Sequence, residues 1–178
     1  MKLQILMATM LKSDIEDINW EEKNIVSDVL LINQTNFENI SEFENIKMIS
    51  TQERGLAKSR NLAINNATGD ICLISDDDAI YEQIILSAFR KYPEADIITF
   101  QIKTPDGSKF NPYYPLIELE HNWRTSLRCA SLEIAFKKES IKKTGLQYDV
   151  LFGLGAKYKM DDEIIFLNDA LKKKLKLI

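Results

Sequence analysis

Three consecutive carboxylates, Asp76, Asp77 and Asp78, follow the apolar run Ile71-Cys72-Leu73-Ile74. Adjacent like charges repel, so such a cluster at the end of a core strand calls for a neutralising cation. Carboxylate oxygens suit a hard divalent ion, Mg²⁺ or Mn²⁺, which is usually held by one or two carboxylates together with substrate phosphates. The plainer reading is a solvated acidic turn that complements the N-terminus of the next helix. The triplet alone leaves both open. The two cysteines, Cys72 and Cys129, lie far apart in apolar segments and read as buried thiols rather than a disulfide, which fits a reducing cytoplasm. With His121 as the only histidine they cannot complete a structural zinc site.

The elements that must carry these residues follow from the apolar pattern. Leu3 to Thr9 reads as a first strand, Asp28 to Asn33 as a second, and Ile46 to Ser50 as a third. Asp14 to Lys23 reads as a polar helix. Leu56 to Ala67 is helical, with Leu56, Ser59, Ala63 and Ala67 at helical spacing and Gly69 placed to stop it. The strand that ends in the acidic triplet comes next. A helix over Ile80 to Tyr92 is closed by Pro93. Ala95 to Ile102 and Cys129 to Phe136 read as strands, and Thr104 to Pro115 as a loop. Gly145 to Lys159 is irregular. Asp162 to Lys173 is a helix, and Leu175 to Ile178 begins another strand.

Strands alternating with helices imply an α/β fold with a mainly parallel sheet covered on both faces. In such sheets ligands sit beyond the carboxyl ends of the strands. Thr9, Asn33 and Asp76 to Asp78 all lie at such ends and should converge in one crevice. The chain has 178 residues, 45% of them hydrophobic and 28% charged, which suits one soluble domain with a sizeable core. A net charge of −4 argues against a nucleic-acid partner. No apolar stretch is long enough for a transmembrane helix, and the N-terminus lacks the pattern of a signal peptide.

The stretch from Glu53 to Ala79 resembles family 2 glycosyltransferases of the GT-A fold. The matching pieces are Gly55, Ser59-Arg60-Asn61, Gly69-Asp70 and Asp76-Asp77-Asp78, in order and at the right spacing. Ile5 to Thr9 resembles the family's first strand, with Ala8 in place of a proline. Asn33 stands where the family carries an aspartate that binds the nucleotide base, a change that puts the base in doubt because an amide both donates and accepts hydrogen bonds. Phe152-Gly153-Leu154-Gly155-Ala156 leading to Asp161-Asp162-Glu163 resembles the segment that supplies the catalytic base. Glu163 takes the base position, with Asp162 the competing candidate.

The resemblance implies inverting, metal-assisted transfer of a sugar, of the hexosyl type, from a nucleotide diphosphate to a hydroxyl of a saccharide or lipid-linked glycan. Asp78 and Asp76 are then the expected ligands of Mn²⁺ or Mg²⁺. Thr9, Asn33, Arg60, Asp76 and Asp77 are the expected donor-binding residues. Tyr113, Tyr114 and Trp123 are candidates to stack on a sugar or acceptor, or to pack. His121 reads as incidental. The chain stops where the family usually continues, so a single domain, truncated or minimal, with an incomplete acceptor side is expected. Exposed apolar surface there would favour a homodimer or peripheral attachment to the inner face of a membrane. The alternative is a partner protein that binds a nucleotide sugar without turning it over. A haloacid-dehalogenase phosphatase fits less well, because several strand-like segments precede the aspartates and Ile80 stands where Thr or Val is typical.

Overall fold

The computed structural model describes residues 1–81 and 84–178. Seven strands form one sheet in the order β3-β4-β2-β1-β5-β7-β6. They are β1 (Leu3–Met10), β2 (Asp28–Gln34), β3 (Asn39–Phe43), β4 (Ile46–Thr51), β5 (Ile71–Asp76), β6 (Ile97–Thr99) and β7 (Ile134–Lys137). Among the described residues the α-helices are α1 (Leu56–Asn66), α2 (Ile85–Lys91), α3 (Lys138–Thr144) and α4 (Asp162–Lys172).

The middle of the sheet, β4-β2-β1-β5, is parallel. Antiparallel pairings flank it, β3 on β4 at one edge and β5-β7-β6 at the other. The sheet is therefore mixed, and the parallel block is the part that the apolar runs foretell. The C-terminal Leu175–Ile178 segment adds a single parallel bridge, Ile97 to Leu177, beside β6.

Alternate residues of the central strands feed two cores, one on each face. Leu6, Leu30, Ile32, Cys72 and Ile74 pack with Ala57, Ala63 and Ile64 of α1 and with Phe166, Leu167 and Ala170 of α4. Ile5, Met7, Val29, Leu31 and Leu73 pack with Ile15, Ile18 and, from α2, Ile85 and Phe89. Burial on both faces explains why these strands read as continuous apolar runs rather than alternating ones.

Several elements differ from their sequence reading. Asp14 to Lys23 is not an α-helix but two 3-10 turns, Ile15–Asp17 and Glu21–Lys23. Asp14 caps the first turn, Trp20 Nε1 donates to the Ile15 carbonyl at 2.8 Å, and the core takes only Ile15 and Ile18 as buried apolar residues with Trp20 packed at its margin, too few for a helical stripe. The strand read from Cys129 starts at Ile134, after a 3-10 turn at Ser131–Glu133. The helix read over Ile80 to Tyr92 is described over Ile85–Lys91, and part of that reading falls on residues 82 and 83, outside the described residues. Gly69 does not stop α1, which already ends at Asn66. It lies against β1, where an added Cβ would come within 2.7 Å of Gln4 Cβ.

Candidate active site

β5 delivers Asp76 to the carboxyl end of the parallel block, level with Ala8 of β1. The chain then turns sharply, with the Ala79 amide donating to the Asp76 carbonyl at 3.5 Å. This turn fans the three carboxylates apart. Asp76 and Asp77 are half-buried, and Asp78 is exposed. Burial pushes the proton affinity of Asp76 up, the Arg60 guanidinium opposes this, and the charges of Asp78 and Asp77 add to the rise.

Asp77 is held by its neighbours. Thr9, at the end of β1, donates from Oγ1 to Asp77 Oδ2 at 2.5 Å. Lys12 Nζ lies 3.8 Å from the same oxygen. Lys23 is buried and its ammonium donates to the Asp77 carbonyl. Asn33, at the end of β2, is wholly buried, and its amide is directed at the turn that carries Lys12 and at Ser50.

Arg60 sits deeper. It projects from α1 with only 3% of its side chain exposed. Its Nη1 meets Asp162 Oδ2 at 2.5 Å and its Nη2 lies 3.8 Å from Asp76 Oδ1. The guanidinium carbon stands 5.4 Å from the centre of the Tyr148 ring. That ring is stacked on Phe166 of α4 at 4.2 Å between centroids. Arg60 therefore links the acidic end of β5 to the start of α4. A buried pair of this kind needs both partners, because either alone would be a buried uncompensated charge.

Asn61 and the glycine loop fix the other side. Asn61 donates to the Tyr148 carbonyl at 2.8 Å and accepts from the Tyr148 amide at 2.7 Å. The Leu56 amide, at the start of α1, donates to the Leu154 carbonyl at 2.9 Å. Gly153 has φ +92°, and a Cβ there would come within 2.9 Å of Asp162 Cγ. Gly155 has φ +82° and would place a Cβ 3.1 Å from Gly55 Cα. Both glycines are thus required by conformation and by contact.

Asp162 and Glu163 open α4 after Asp161, which takes the left-handed conformation at φ +70°. The turn sets them apart in character. Asp162 is buried against Arg60, whereas Glu163 is half-buried and lies beside that pair without an ion pair of its own to Arg60. Burial raises the proton affinity of Glu163, and the neighbouring Asp162 charge raises it further. Asp76, Arg60 and Asp162 therefore form one chain of charge, with Asp77, Thr9 and Lys12 at one end and Glu163 at the other.

Among the described residues no three His, Cys, Asp or Glu side chains converge into a closed metal cage. An open pair of carboxylates suits an Mg²⁺-type ion that draws its remaining ligands from phosphate and water. A cavity of about 560 Å³ lies apart from the acidic cluster, between α2, β6 and the 113–121 segment. Tyr113, Tyr114, His121 and Glu133 line it, while Trp123 is exposed elsewhere. Burial pushes the Glu133 carboxyl up to about 7, and it accepts a hydrogen bond from the Tyr114 hydroxyl. His121 is bonded to Thr99 and Thr125, and burial lowers its proton affinity.

Residues 34–153, well over half of the chain, match the family model for glycosyl transferase family 2. The chain belongs to that family. No curated protein matches it significantly. Among solved structures it is similar to TarS of S. aureus, with a TM-score of 0.67 and 16% identity over 100% of this chain and 35% of that one. The 1–349 portion of TarS in complex with UDP gives 0.62 and 13%, over 100% of this chain and 58% of that one. The same portion in complex with UDP-GlcNAc gives 0.59 and 15%, over 94% and 54%. The fold is the α/β GT-A type, and the chain spans 58% or less of these TarS chains.

Lys12, Lys23, Tyr148 and Glu133 are the site and near-site residues that sequence reasoning misses. Each acts through a partner distant in the chain, and none belongs to a motif. The one available signal was the placement of Lys12 just beyond a strand end.

Proposed function

We propose that this chain is a nucleotide-sugar glycosyltransferase domain. It moves a sugar, of the hexosyl class, from a nucleoside diphosphate to a hydroxyl of a saccharide or lipid-linked glycan, with inversion. The observation that carries the reading is the line from Asp76 through Arg60 to Asp162, with Glu163 beside it, across the carboxyl end of the sheet.

Asp76 and Asp78 would hold Mg²⁺ or Mn²⁺, whose charge would offset that of the departing diphosphate. Every other task falls to the chain itself. Thr9, Asp77 and the end of β2 shape the donor side. Asn33 serves that side from its buried position by holding the wall of the cleft. Arg60 fixes Asp162 and thereby the start of α4. Glu163 takes the proton from the acceptor hydroxyl as it attacks, because it is half-exposed while Asp162 is committed to Arg60. Attack from the face opposite the leaving group inverts the anomeric centre without a covalent intermediate. The cavity lined by Tyr113, Tyr114 and Glu133 is the candidate berth for the remainder of the acceptor.

The two free, buried cysteines suit a reducing compartment, and we place the reaction in the cytoplasm. Among the described residues no helix is long and apolar enough to cross a membrane. Met10, Leu11, Ile80, Leu154 and Met160 are more than half exposed, at chain positions next to the strand ends and the glycine loop. This surface is the candidate for self-association or for peripheral contact with the inner face of a membrane.

A thermal-shift screen of UDP, GDP, CDP and TDP with Mn²⁺ tests the donor side, since a ligand that binds the native state raises its apparent stability. One of the four should stabilise the parent chain, and Asp78→Ala should abolish the Mn²⁺-dependent part of that shift while leaving the fold intact. An unchanged shift in Asp78→Ala removes the metal assignment. Nucleotide binding with no transfer to any acceptor would identify a binding partner rather than an enzyme.

A further inference from the structure

Asn33 differs from the aspartate of the resemblance, and its surroundings give that difference a purpose. Its Nδ2 donates to the Lys12 carbonyl at 2.8 Å, and its Oδ1 accepts from the Lys12 amide at 3.1 Å. Nδ2 also reaches Ser50 Oγ at 3.1 Å. One side chain thus grips both backbone groups of Lys12. A carboxylate could accept from the amide but could not donate to the carbonyl. The same turn is pinned again one residue earlier. The Leu11 amide donates to the Gln34 carbonyl at 2.9 Å, and Leu11 takes the left-handed conformation at φ +56°.

This turn has one chemical product: it points Lys12 at the acidic cluster. Nζ of Lys12 stands 3.8 Å from Asp77 Oδ2, and 29% of the side chain is exposed, so the ammonium can still turn toward a ligand. Asp77 is already bonded by Thr9 Oγ1 at 2.5 Å. The ammonium is therefore not needed to satisfy Asp77. It is left able to meet the negative charge of a diphosphate held at the acidic cluster.

We infer that Lys12 binds the diphosphate of the donor and that Asn33 is the positioning residue that holds it there. The inference rests on the donor-site reading above. A lysine suits the role because it meets phosphate as a mobile point charge. Moving the residue at the end of β2 from carboxylate to amide trades a direct acceptor in the cleft for a fixed cation at its wall.

The test compares binding of the diphosphate selected by the screen with that of its monophosphate, by calorimetry with Mg²⁺. Lys12→Met should weaken the diphosphate by roughly tenfold or more, the scale of one charge-assisted hydrogen bond. It should change the monophosphate much less. Lys12→Arg should restore most of the loss. Asn33→Asp should lower diphosphate affinity in the same selective way, and the double variant with Lys12→Met should be no weaker than Lys12→Met alone. Equal affinity of parent and Lys12→Met for the diphosphate overturns the inference. Equal loss for both nucleotides overturns it as well, because a merely structural role would give that result. A parent chain that binds none of the four diphosphates refutes the donor-site reading itself, which separates the two failures.

Discussion

Glu163 and Asp162 are neighbours in the chain with opposite prospects. Asp162 lies 2.5 Å from a buried guanidinium, so taking a proton would cost Arg60 the nearer of its two counter-charges. Glu163 makes no direct ion pair with Arg60, and burial together with the charge and hydrogen bond of Asp162 raises its proton affinity above the ordinary carboxylate value, against a smaller opposing effect of Arg60. A base must be ionised to act, so transfer should be lost as pH falls through this raised value and should plateau above it. The acid limb of kcat/KM will therefore lie above the pH at which an ordinary glutamate titrates. Glu163→Gln should bind donor normally and lose roughly 10²- to 10⁴-fold in transfer, the usual size of a general-base contribution. An active Glu163→Gln beside an inactive Asp162→Asn would move the role to Asp162.

Among the elements, the glycine loop carries a constraint that composition alone does not reveal. Gly153 and Gly107 have similar left-handed backbones, at φ +92° and +83°. A Cβ on Gly107 meets nothing within 4 Å, whereas on Gly153 it meets Asp162 Cγ at 2.9 Å. Both alanine variants incur backbone strain of about 1–3 kcal/mol. Only Gly153→Ala should also push Asp162 away from Arg60. We expect Gly107→Ala to lower Tm while leaving turnover intact, and Gly153→Ala to lower both. Equal turnover in the two variants would show that the loop does not seat Asp162. The elements also show what a sequence hides. β1, β2 and β5 were legible because burial on both faces gave each a run of consecutive apolar residues, and β4 because its Ile46 and Met48 alternate with an exposed Lys47. β3 was not, because it is an edge strand with no fully buried residue. Nor was α3, whose buried side is Ile141 alone. The acidic triplet and the helix start at Asp162 were visible as motifs. The bond of Arg60 to Asp162 was not, since it joins residues 102 apart and no local pattern encodes it.

For the whole molecule, that separation has a kinetic meaning. β1 takes β5 as a neighbour, and the Lys2 amide beside this pairing finds Asp70, 68 residues on. The Lys176 amide finds Asp96 across 80 residues. Contacts so distant incur loop-closure entropy before they return stabilisation, which slows folding. The Arg60–Asp162 pair spans the longest of these separations, so the line of charge through it should be among the last features to form and should not outlast the sheet. Refolding monitored by far-ultraviolet circular dichroism and by recovery of Mn²⁺-dependent nucleotide binding should then give one shared slow phase. In urea the two signals should be lost at the same midpoint. Nucleotide binding that returns well before the sheet would mean that the donor half assembles on its own, and that this cleft is a detachable module rather than the closing stitch of a single cooperative unit.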